Sequence, residues 1–221
     1  MGNRIVAELH LSREDYEDAI KTAKHGLQVL KQHQIDSGKN LTKWVTPSQF
    51  GRLNAKMASF FHSRMRMALQ VILSTALIHF FSPKHHKEAT RIVDEVLTVS
   101  PLNPAALMGR GFILQAASTW EGAMEAFDRV LESSEDDDER GMSLKANVAV
   151  LRSLRAREES AWCLCQLGRY EEASSGLETV SQRLDAGSGN EDNDDARADS
   201  DRARCFWRIG NCLLASESGS K

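Results

Sequence analysis

Residues 101–127 read Pro-Leu-Asn-Pro-Ala-Ala-Leu-Met-Gly-Arg-Gly-Phe-Ile-Leu-Gln-Ala-Ala-Ser-Thr-Trp-Glu-Gly-Ala-Met-Glu-Ala-Phe. Gly111 lies twelve residues before Ala123, and Phe127 lies four residues after it. Upstream, Ala89 lies 34 residues before Ala123 and twelve before the proline that opens the stretch. Two antiparallel helices approach to about 8–10 Å when small side chains lie at their crossing and an aromatic ring fills the adjoining hole. The spacing therefore predicts helix pairs that repeat every 34 residues.

The same spacing recurs elsewhere in the chain. Ala7 lies twelve residues before Ala19, and Ala161 lies twelve residues before Ala173. The step from Ala123 to Ala173 is 50 residues, which exceeds one period by 16, so we expect an insertion of about one helix after the central repeat. The positions that we expect to pack the repeats together are Ala7, Ala19, Ala89, Pro101, Gly111, Ala123, Phe127, Ala161, Ala173 and Gly210.

These motifs resemble the tetratricopeptide repeat (TPR) family, whose unit is a helix–turn–helix. The resemblance implies an all-α, TPR-like helical-repeat solenoid with insertions, with about four helix pairs and an unpaired C-terminal helix; an irregular helical bundle is the alternative. In chain order we expect a TPR-like repeat at 1–34, a loop or insertion at 35–52, a long helix and TPR-like repeat at 53–103, a TPR repeat at 104–135, an acidic insertion or extra helix at 136–153, a TPR repeat at 154–186, a disordered acidic loop at 187–201 and the first helix of an incomplete repeat at 202–216.

Several of these boundaries rest on local signals. Residues 36–40 read Asp-Ser-Gly-Lys-Asn, which is typical of a turn. Pro83 is expected at the start of a helix, with Ser82 as its cap. The polar, acidic composition of residues 185–201 predicts disorder, because such a segment cannot bury enough apolar surface to order itself.

Composition bounds the function. Hydrophobic residues make up 41% of the 221 residues, charged residues make up 27%, and the net charge is −3, so no global basic field attracts nucleic acid or anionic lipid. The apolar stretch 67–81 is fifteen residues long, shorter than the roughly 20 that a membrane span needs. The four cysteines show no disulfide spacing, and the first residues lack a secretory signal. These features predict a reduced, cytoplasmic location, with the nucleus as a second compartment.

Residue patterns that carry catalysis are missing from the sequence. It contains no Gly-rich phosphate loop, no Gly-x-Ser-x-Gly and no paired Cys and His that would form an activated nucleophile. Cys163 and Cys165 would point about 200° apart on a helix, so we interpret them, like Cys205 and Cys212, as small core residues. We therefore expect a protein that is not an enzyme and that holds neither a cofactor nor a metal.

A local basic cluster leaves one functional alternative open, a helical-repeat RNA-binding module. Arg64, Arg66 and residues 84–87 could form a basic patch. RNA binding through it would need aromatic side chains exposed beside the charge. Phe80 and Phe81 are the nearest candidates, and the sequence places them in the core. We therefore expect direct contact with nucleic acid to be minor.

In TPR proteins the first helices of the pairs usually line a concave groove. The positions expected there, as a partner-binding site, are Met108, Phe112, Gln115, Glu158 and Trp162. One TPR subclass clamps C-terminal carboxylates of chaperones with Lys and Asn, and these residues cannot supply that cationic clamp. Recognition of a peptide or domain by an apolar groove is left as an open alternative.

Residues 9–33 and 76–131 carry a narrower resemblance. The segments Leu-His-Leu-Ser-Arg-Glu-Asp-Tyr-Glu-Asp-Ala-Ile at 9–20 and Ala-Leu-Ile-His-Phe-Phe-Ser-Pro-Lys-His-His-Lys-Glu-Ala at 76–89 are similar to the family of large TPR scaffold subunits of the superkiller complex. This resemblance implies an internal part of a long, non-enzymatic platform for an RNA helicase and a β-propeller subunit. It also implies a role in exosome-mediated 3′-to-5′ decay of cytoplasmic mRNA.

The last residues predict an unfinished repeat. Gly210 matches the small position of a first helix, and its partner alanine would be due at position 222, one residue beyond Lys221. A repeat cannot bury its apolar face alone. We therefore expect Phe206, Ile209, Leu213 and Leu214 to present a partly open apolar stripe.

Overall fold

The computed structural model describes the backbone of residues 2–44, 49–135, 144–187 and 195–219, and side chains within 2–34, 57–133, 150–186 and 199–217. Over these residues it contains nine α-helices and no strand, which confirms the expected all-α class. The helices are α1 (Gly2–Ser12), α2 (Tyr16–Trp44), α3 (Gln49–His79), α4 (His86–Val99), α5 (Pro104–Ala116), α6 (Trp120–Glu135), α7 (Leu144–Gln166), α8 (Tyr170–Gly187) and α9 (Asp195–Gly219).

The helices form two compact units. The first, residues 1–101, contains α1–α4, and the second, residues 102–221, contains α5–α9. Within each unit, helices that are neighbours in sequence pack against each other, so that α1–α2, α3–α4, α5–α6 and α7–α8 form helical pairs and α9 packs on α8. This arrangement is that of a helical-repeat protein.

The turns inside three of these pairs share one backbone feature. Glu14, Ser118 and Gly168 have φ angles of 61°, 57° and 79°, in the left-handed region. Each lies five residues before the alanine of its second helix, at Ala19, Ala123 or Ala173. Left-handed residues are uncommon outside glycine. Their recurrence at one register position indicates that the three pairs are copies of one structural unit.

Small residues lie at the helix crossings. The six alanines of the repeat pattern are buried; they are Ala7, Ala19, Ala89, Ala123, Ala161 and Ala173. At Gly111 an added Cβ would lie 2.3 Å from Cε1 of Phe127, whose ring is itself fully buried. The absence of a side chain at Gly111 therefore allows α5 and α6 to pack closely around that ring. Pro101 lies in an exposed turn after α4.

The start of α5 follows directly from its sequence. The Asn103 side chain caps the helix by accepting a hydrogen bond from the backbone N–H of Ala106, at 3.0 Å. Pro104 occupies the first turn, where its missing N–H costs nothing. The cap fixes where α5 begins, and with it the position of Phe112 and Gln115 two to three turns later.

Two segments differ from the expected boundaries. Residues 35–44 and 49–52, expected as a loop or insertion, are helical, because α2 continues to Trp44 and α3 begins at Gln49. Once a helix is nucleated, each further residue adds a hydrogen bond at little cost, which outweighs the local turn preference of residues 36–40. Residues 195–201, expected in a disordered loop, form the start of α9. The negative charge of the aspartates there interacts favourably with the positive end of the helix dipole. Residues 136–143 and 188–194 lie outside the described residues.

The turn between α3 and α4 also differs from the prediction. α4 begins at His86, so Pro83 lies in the turn rather than in the first turn of a helix. Ser82 does not cap α4; its Oγ lies 3.0 Å from Nε2 of His86. Phe81, expected in the core, has a left-handed φ of 50° and is 68% exposed, since this conformation turns the chain out of α3. No helix in the described ranges is long and apolar enough to cross a membrane.

Candidate protein-interaction site

The first helices of the second unit, α5, α7 and α9, bring the predicted groove residues together. Gln115 on α5 contacts Glu159 on α7, and Glu158 and Trp162 on α7 lie beside arginine and tryptophan side chains of α9. A core of small and branched side chains from α7, α8 and α9 supports them from behind; it includes Ala161, Cys165, Ala173, Leu177, Val180, Cys205 and Cys212. We call this surface the first-helix face and define it by Phe112, Arg155, Trp162, Arg204 and Trp207.

The base of the face is an ion-pair network centred on Glu158. Its carboxylate accepts hydrogen bonds from Nε and Nη2 of Arg204, at 2.7 and 2.8 Å. It also lies 3.0 Å from Nη1 of Arg208 and accepts from Nη1 of Arg155 at 3.1 Å. The Glu158 side chain is almost wholly buried. One carboxylate therefore ties α7 to α9 through two arginines and to its own preceding turn through a third.

Glu159 extends the network towards α5. Its carboxylate lies 2.7 Å from Nη2 of Arg155 and 3.0 Å from Nη2 of Arg208. Gln115 donates from Nε2 to Oε2 of Glu159 at 3.0 Å and lies 3.4 Å from Sγ of Cys163. The three helices are thus joined by hydrogen bonds to two adjacent glutamates. Because these charge-assisted bonds are directional, they fix the rotation of α5 and α9 about α7.

The network balances its own charge. Arg155, Arg204 and Arg208 face Glu158 and Glu159, and Asp201 adds a third carboxylate 2.7 Å from Nη2 of Arg204. The donors that could clamp an external carboxylate are therefore already engaged by the chain's own acids. This occupancy excludes a free cationic clamp at these arginines.

The protonation of the network follows from its geometry. Burial alone would raise the pKa of Glu158, but the Arg204 hydrogen bond and the charges of Arg155 and Arg208 hold that pKa below its ordinary value. Burial opposes the charge of Arg204, yet its hydrogen bonds to Glu158 and Asp201 raise its pKa overall. Glu158 is therefore ionised at neutral pH.

Aromatic rings cover this polar base. Trp162 and Trp207 are tilted with centroids 5.7 Å apart, and the Arg208 guanidinium carbon lies 5.3 Å from the Trp162 centroid. On α5, Phe112 lies 5.9 Å from the Arg155 guanidinium and packs edge-on against the Phe127 ring. Trp207 remains 61% exposed. The first-helix face thus presents indole and phenyl surface over a charge-neutral base.

The sequence-predicted groove residues take different positions. Phe112 and Trp162 are partly buried members of the face, Gln115 is partly buried in the hydrogen-bond network at its base, and Met108 and Glu158 are buried. The sequence pattern did not indicate four further residues of the network, Arg155, Glu159, Arg204 and Arg208. The spacings Arg155 to Glu158 and Glu159, and Arg204 to Arg208, are the i, i+3 and i+4 signals that could have indicated them. Gly210, expected at a crossing, has no atom within 4 Å of an added Cβ apart from its own helix and chain neighbours.

The cysteines offer no activated nucleophile. All four are buried. Burial raises the pKa of Cys163 and Cys205 to about 11 and that of Cys212 to about 12. A thiol reacts as its thiolate, so Cys163, Cys205 and Cys212 are unreactive near neutral pH. Cys165, Cys205 and Cys212 help to fill the core between α7, α8 and α9.

Among the side chains described in the first unit, one group has metal-ligand atoms close together. Ligand atoms of His10, Asp15 and Asp18 lie within 4.8 Å of one another. The group is partly exposed, and its members already have partners: His10 Nδ1 lies 3.1 Å from Asp15, and Asp18 pairs with Lys21 at 3.2 Å. Such pairs are common on helical surfaces, so we assign no metal site to them.

No family model matches this sequence. Two curated proteins are similar to it. Superkiller protein 3 of Saccharomyces cerevisiae is 25% identical over 180 residues, which cover 81% of this chain. Superkiller protein 3 of Schizosaccharomyces pombe is 22% identical over 173 residues, or 78% of this chain. The aligned region spans 10% of the length of each relative.

Proposed function

We propose that this chain is a non-enzymatic, TPR-type protein-binding scaffold and that the first-helix face of its second unit binds a partner protein. The observation that carries the proposal is that the Trp207 ring is exposed and yet held in a fixed position. It is 61% exposed, packs against Trp162, and stands over an ion-pair network that fixes both helices. Tryptophan is enriched among the residues that dominate binding energy, and a rigidly held ring loses little entropy on binding.

The chemistry of the face selects the kind of partner. Its arginines are engaged by Glu158, Glu159 and Asp201, so a carboxylate tail would find no free donor among them. Breaking those pairs to admit an external anion would leave a buried carboxylate without its partner, at a cost of about 3–5 kcal/mol. The partner segment is therefore apolar or aromatic, and it buries the indole rings rather than replacing an ion pair.

The similarity to Superkiller protein 3 from two yeasts supports a more specific role. The chain would form part of a platform resembling the scaffold subunit of the superkiller complex, which acts in exosome-mediated 3′-to-5′ mRNA decay in the cytoplasm. By that resemblance its partners are an RNA helicase and a β-propeller subunit.

Binding measurements with two matched variants test the role of the face. The 221-residue chain is titrated calorimetrically with the helicase and β-propeller subunits of its own organism. Trp207→Ala should weaken binding by at least about 30-fold, the loss typical of a central aromatic residue. Phe206→Ala is the control, because Phe206 neighbours Trp207 on α9 and is 56% exposed but makes no contact with Trp162 among the described rings. Equal affinity of all three proteins would contradict the proposal.

A further inference from the structure

The N-terminal half of α3 carries exposed aromatic side chains. Met57, Phe60, Phe61 and Arg64 follow an i, i+3, i+4, i+7 spacing, so they lie on one face of the helix. Phe60 and Phe61 are 62% and 55% exposed, with ring centroids 6.1 Å apart. Single exposed apolar residues are ordinary on protein surfaces, but two neighbouring exposed rings on one face mark an interaction surface.

The charge of this region has one sign. Residues 37–87 contain eight Lys and Arg residues and no Asp or Glu, although the whole chain has a net charge of −3. The arginines nearest the two rings, Arg64 and Arg66, are exposed, and neither forms an ion pair with the other side chains that the structure describes. Unneutralised arginines attract a polyanion over a distance of about 10 Å at moderate salt.

The same combination occurs at the other end of α3. Phe81 is 68% exposed, and the Lys84 ammonium lies 5.8 Å from the centroid of its ring. Nearby, the Phe80 and His85 rings stack with centroids 5.7 Å apart. Exposed rings therefore lie near cationic side chains both on α3 and in the turn that follows it, which a purely structural helix does not require.

We propose that the face of α3 formed by Phe60, Phe61 and Arg64 binds a single-stranded nucleic acid, and that Arg66, about 200° round the helix from Arg64, adds to the local positive field. The bases would stack on the phenyl rings and a phosphate would pair with the Arg64 guanidinium. The local charge favours a polyanion over a neutral partner.

Fluorescence anisotropy with three probes tests this site on the 221-residue chain. The probes are a labelled 20-nucleotide uridine RNA, the matching thymidine DNA and a 20-base-pair RNA duplex, each in 50 and 200 mM salt. We expect both single strands to bind with a dissociation constant of about 100 µM or tighter at 50 mM salt and more weakly at 200 mM. The duplex should bind less tightly, because its bases are not free to stack on the rings.

Variants separate stacking from charge. The double variant Phe60→Ala with Phe61→Ala should weaken single-strand binding about ten-fold or more at unchanged salt dependence, because it removes stacking alone. The double variant Arg64→Gln with Arg66→Gln should weaken binding and also reduce its salt dependence. With fewer cationic groups on the protein, fewer counterions are released from the nucleic acid on binding. Arg183→Gln, an exposed arginine on α8, is the control and should bind like the unchanged chain.

Three results would overturn the proposal. The first is no single-strand binding at 50 mM salt, and the second is binding that both double variants leave unchanged. The third is that polyglutamate displaces the labelled RNA as effectively as unlabelled RNA of the same total charge does. The last result would show that the surface recognises acidic protein segments instead. Because all four side chains are solvent-exposed or nearly so, circular dichroism and melting curves of the variants should match those of the unchanged chain.

Discussion

Replacing Gly111 by alanine should destabilise the second unit, whereas the same change at Gly210 should stabilise it. The two glycines occupy the same position in their repeats. At Gly111 the new Cβ would lie 2.3 and 2.4 Å from two atoms of the buried Phe127 ring, whereas at Gly210 it would meet no neighbouring helix. Carbon atoms pack best at about 3.5–4.0 Å, so the Phe127 ring must move by about 1 Å.

The magnitudes follow from two opposing effects. Overpacking of a core destabilises the fold by about 1–3 kcal/mol, and replacing glycine by alanine within a helix stabilises it by about 1 kcal/mol. Because the Phe127 ring also packs against Phe112 at 5.6 Å, it has little room to move, and we expect a net loss of about 2 kcal/mol for Gly111→Ala. Gly210→Ala is affected only by the higher helix propensity of alanine, so its free energy of unfolding should rise by about 0.5–1 kcal/mol.

Urea denaturation followed by tryptophan fluorescence measures both effects. Three of the four tryptophans lie in the second unit, so the signal reports mainly on that unit. Phe127→Leu combined with Gly111→Ala should recover part of the loss, because the smaller side chain makes room for the new methyl group. If Gly111→Ala proved neutral or stabilising, as Gly210→Ala should be, α5 and α6 could not pack as closely as the structure shows.

Three further changes test the packing and the ion-pair network. Ala123→Arg should cost at least about 3 kcal/mol of unfolding free energy, because it places a charge at a fully buried crossing; an unchanged urea midpoint would refute that position. Arg208→Met should cost about 3–5 kcal/mol, whereas Arg169→Met, which breaks an exposed pair with Glu172, should leave the urea midpoint almost unchanged; equal shifts of the midpoint would contradict a buried network. Because the folded pKa of Glu158 lies below its ordinary value, its contribution is present above the unfolded carboxyl pKa and is lost as pH falls below it. Urea midpoints measured from pH 6 to pH 3 should therefore fall more steeply for the unchanged chain than for Glu158→Gln, and parallel curves would exclude the effect.

The repeat spacing predicted much of the fold because it encodes helix contacts directly. A small residue twelve positions before an alanine identifies two helices and their crossing, and the structure places Gly111 against Phe127 of the partner helix. Helix lengths were harder to predict. The turn signal at residues 36–40 competes with continued helix formation, and nothing local shows which prevails.

The site was only half predictable for a similar reason. Helical spacing places Phe112 and Trp162 on the first helices without knowledge of the fold. The pairs between Arg208 and Glu159 join residues 49 positions apart, so they depend on how α9 is rotated against α7. Phe81 was misplaced because its exposure follows from a left-handed turn conformation that a phenylalanine rarely adopts.

Purification of the protein from its own organism tests the proposed scaffold role most directly. The protein is tagged at its own locus, captured in gentle buffer with and without ribonuclease, and its companions are identified by mass spectrometry. A scaffold of the superkiller type should retain an RNA helicase and a β-propeller subunit at fixed ratios, and ribonuclease should not release them. Absence of both subunits, or their loss on ribonuclease treatment, would contradict a platform held together by protein contacts.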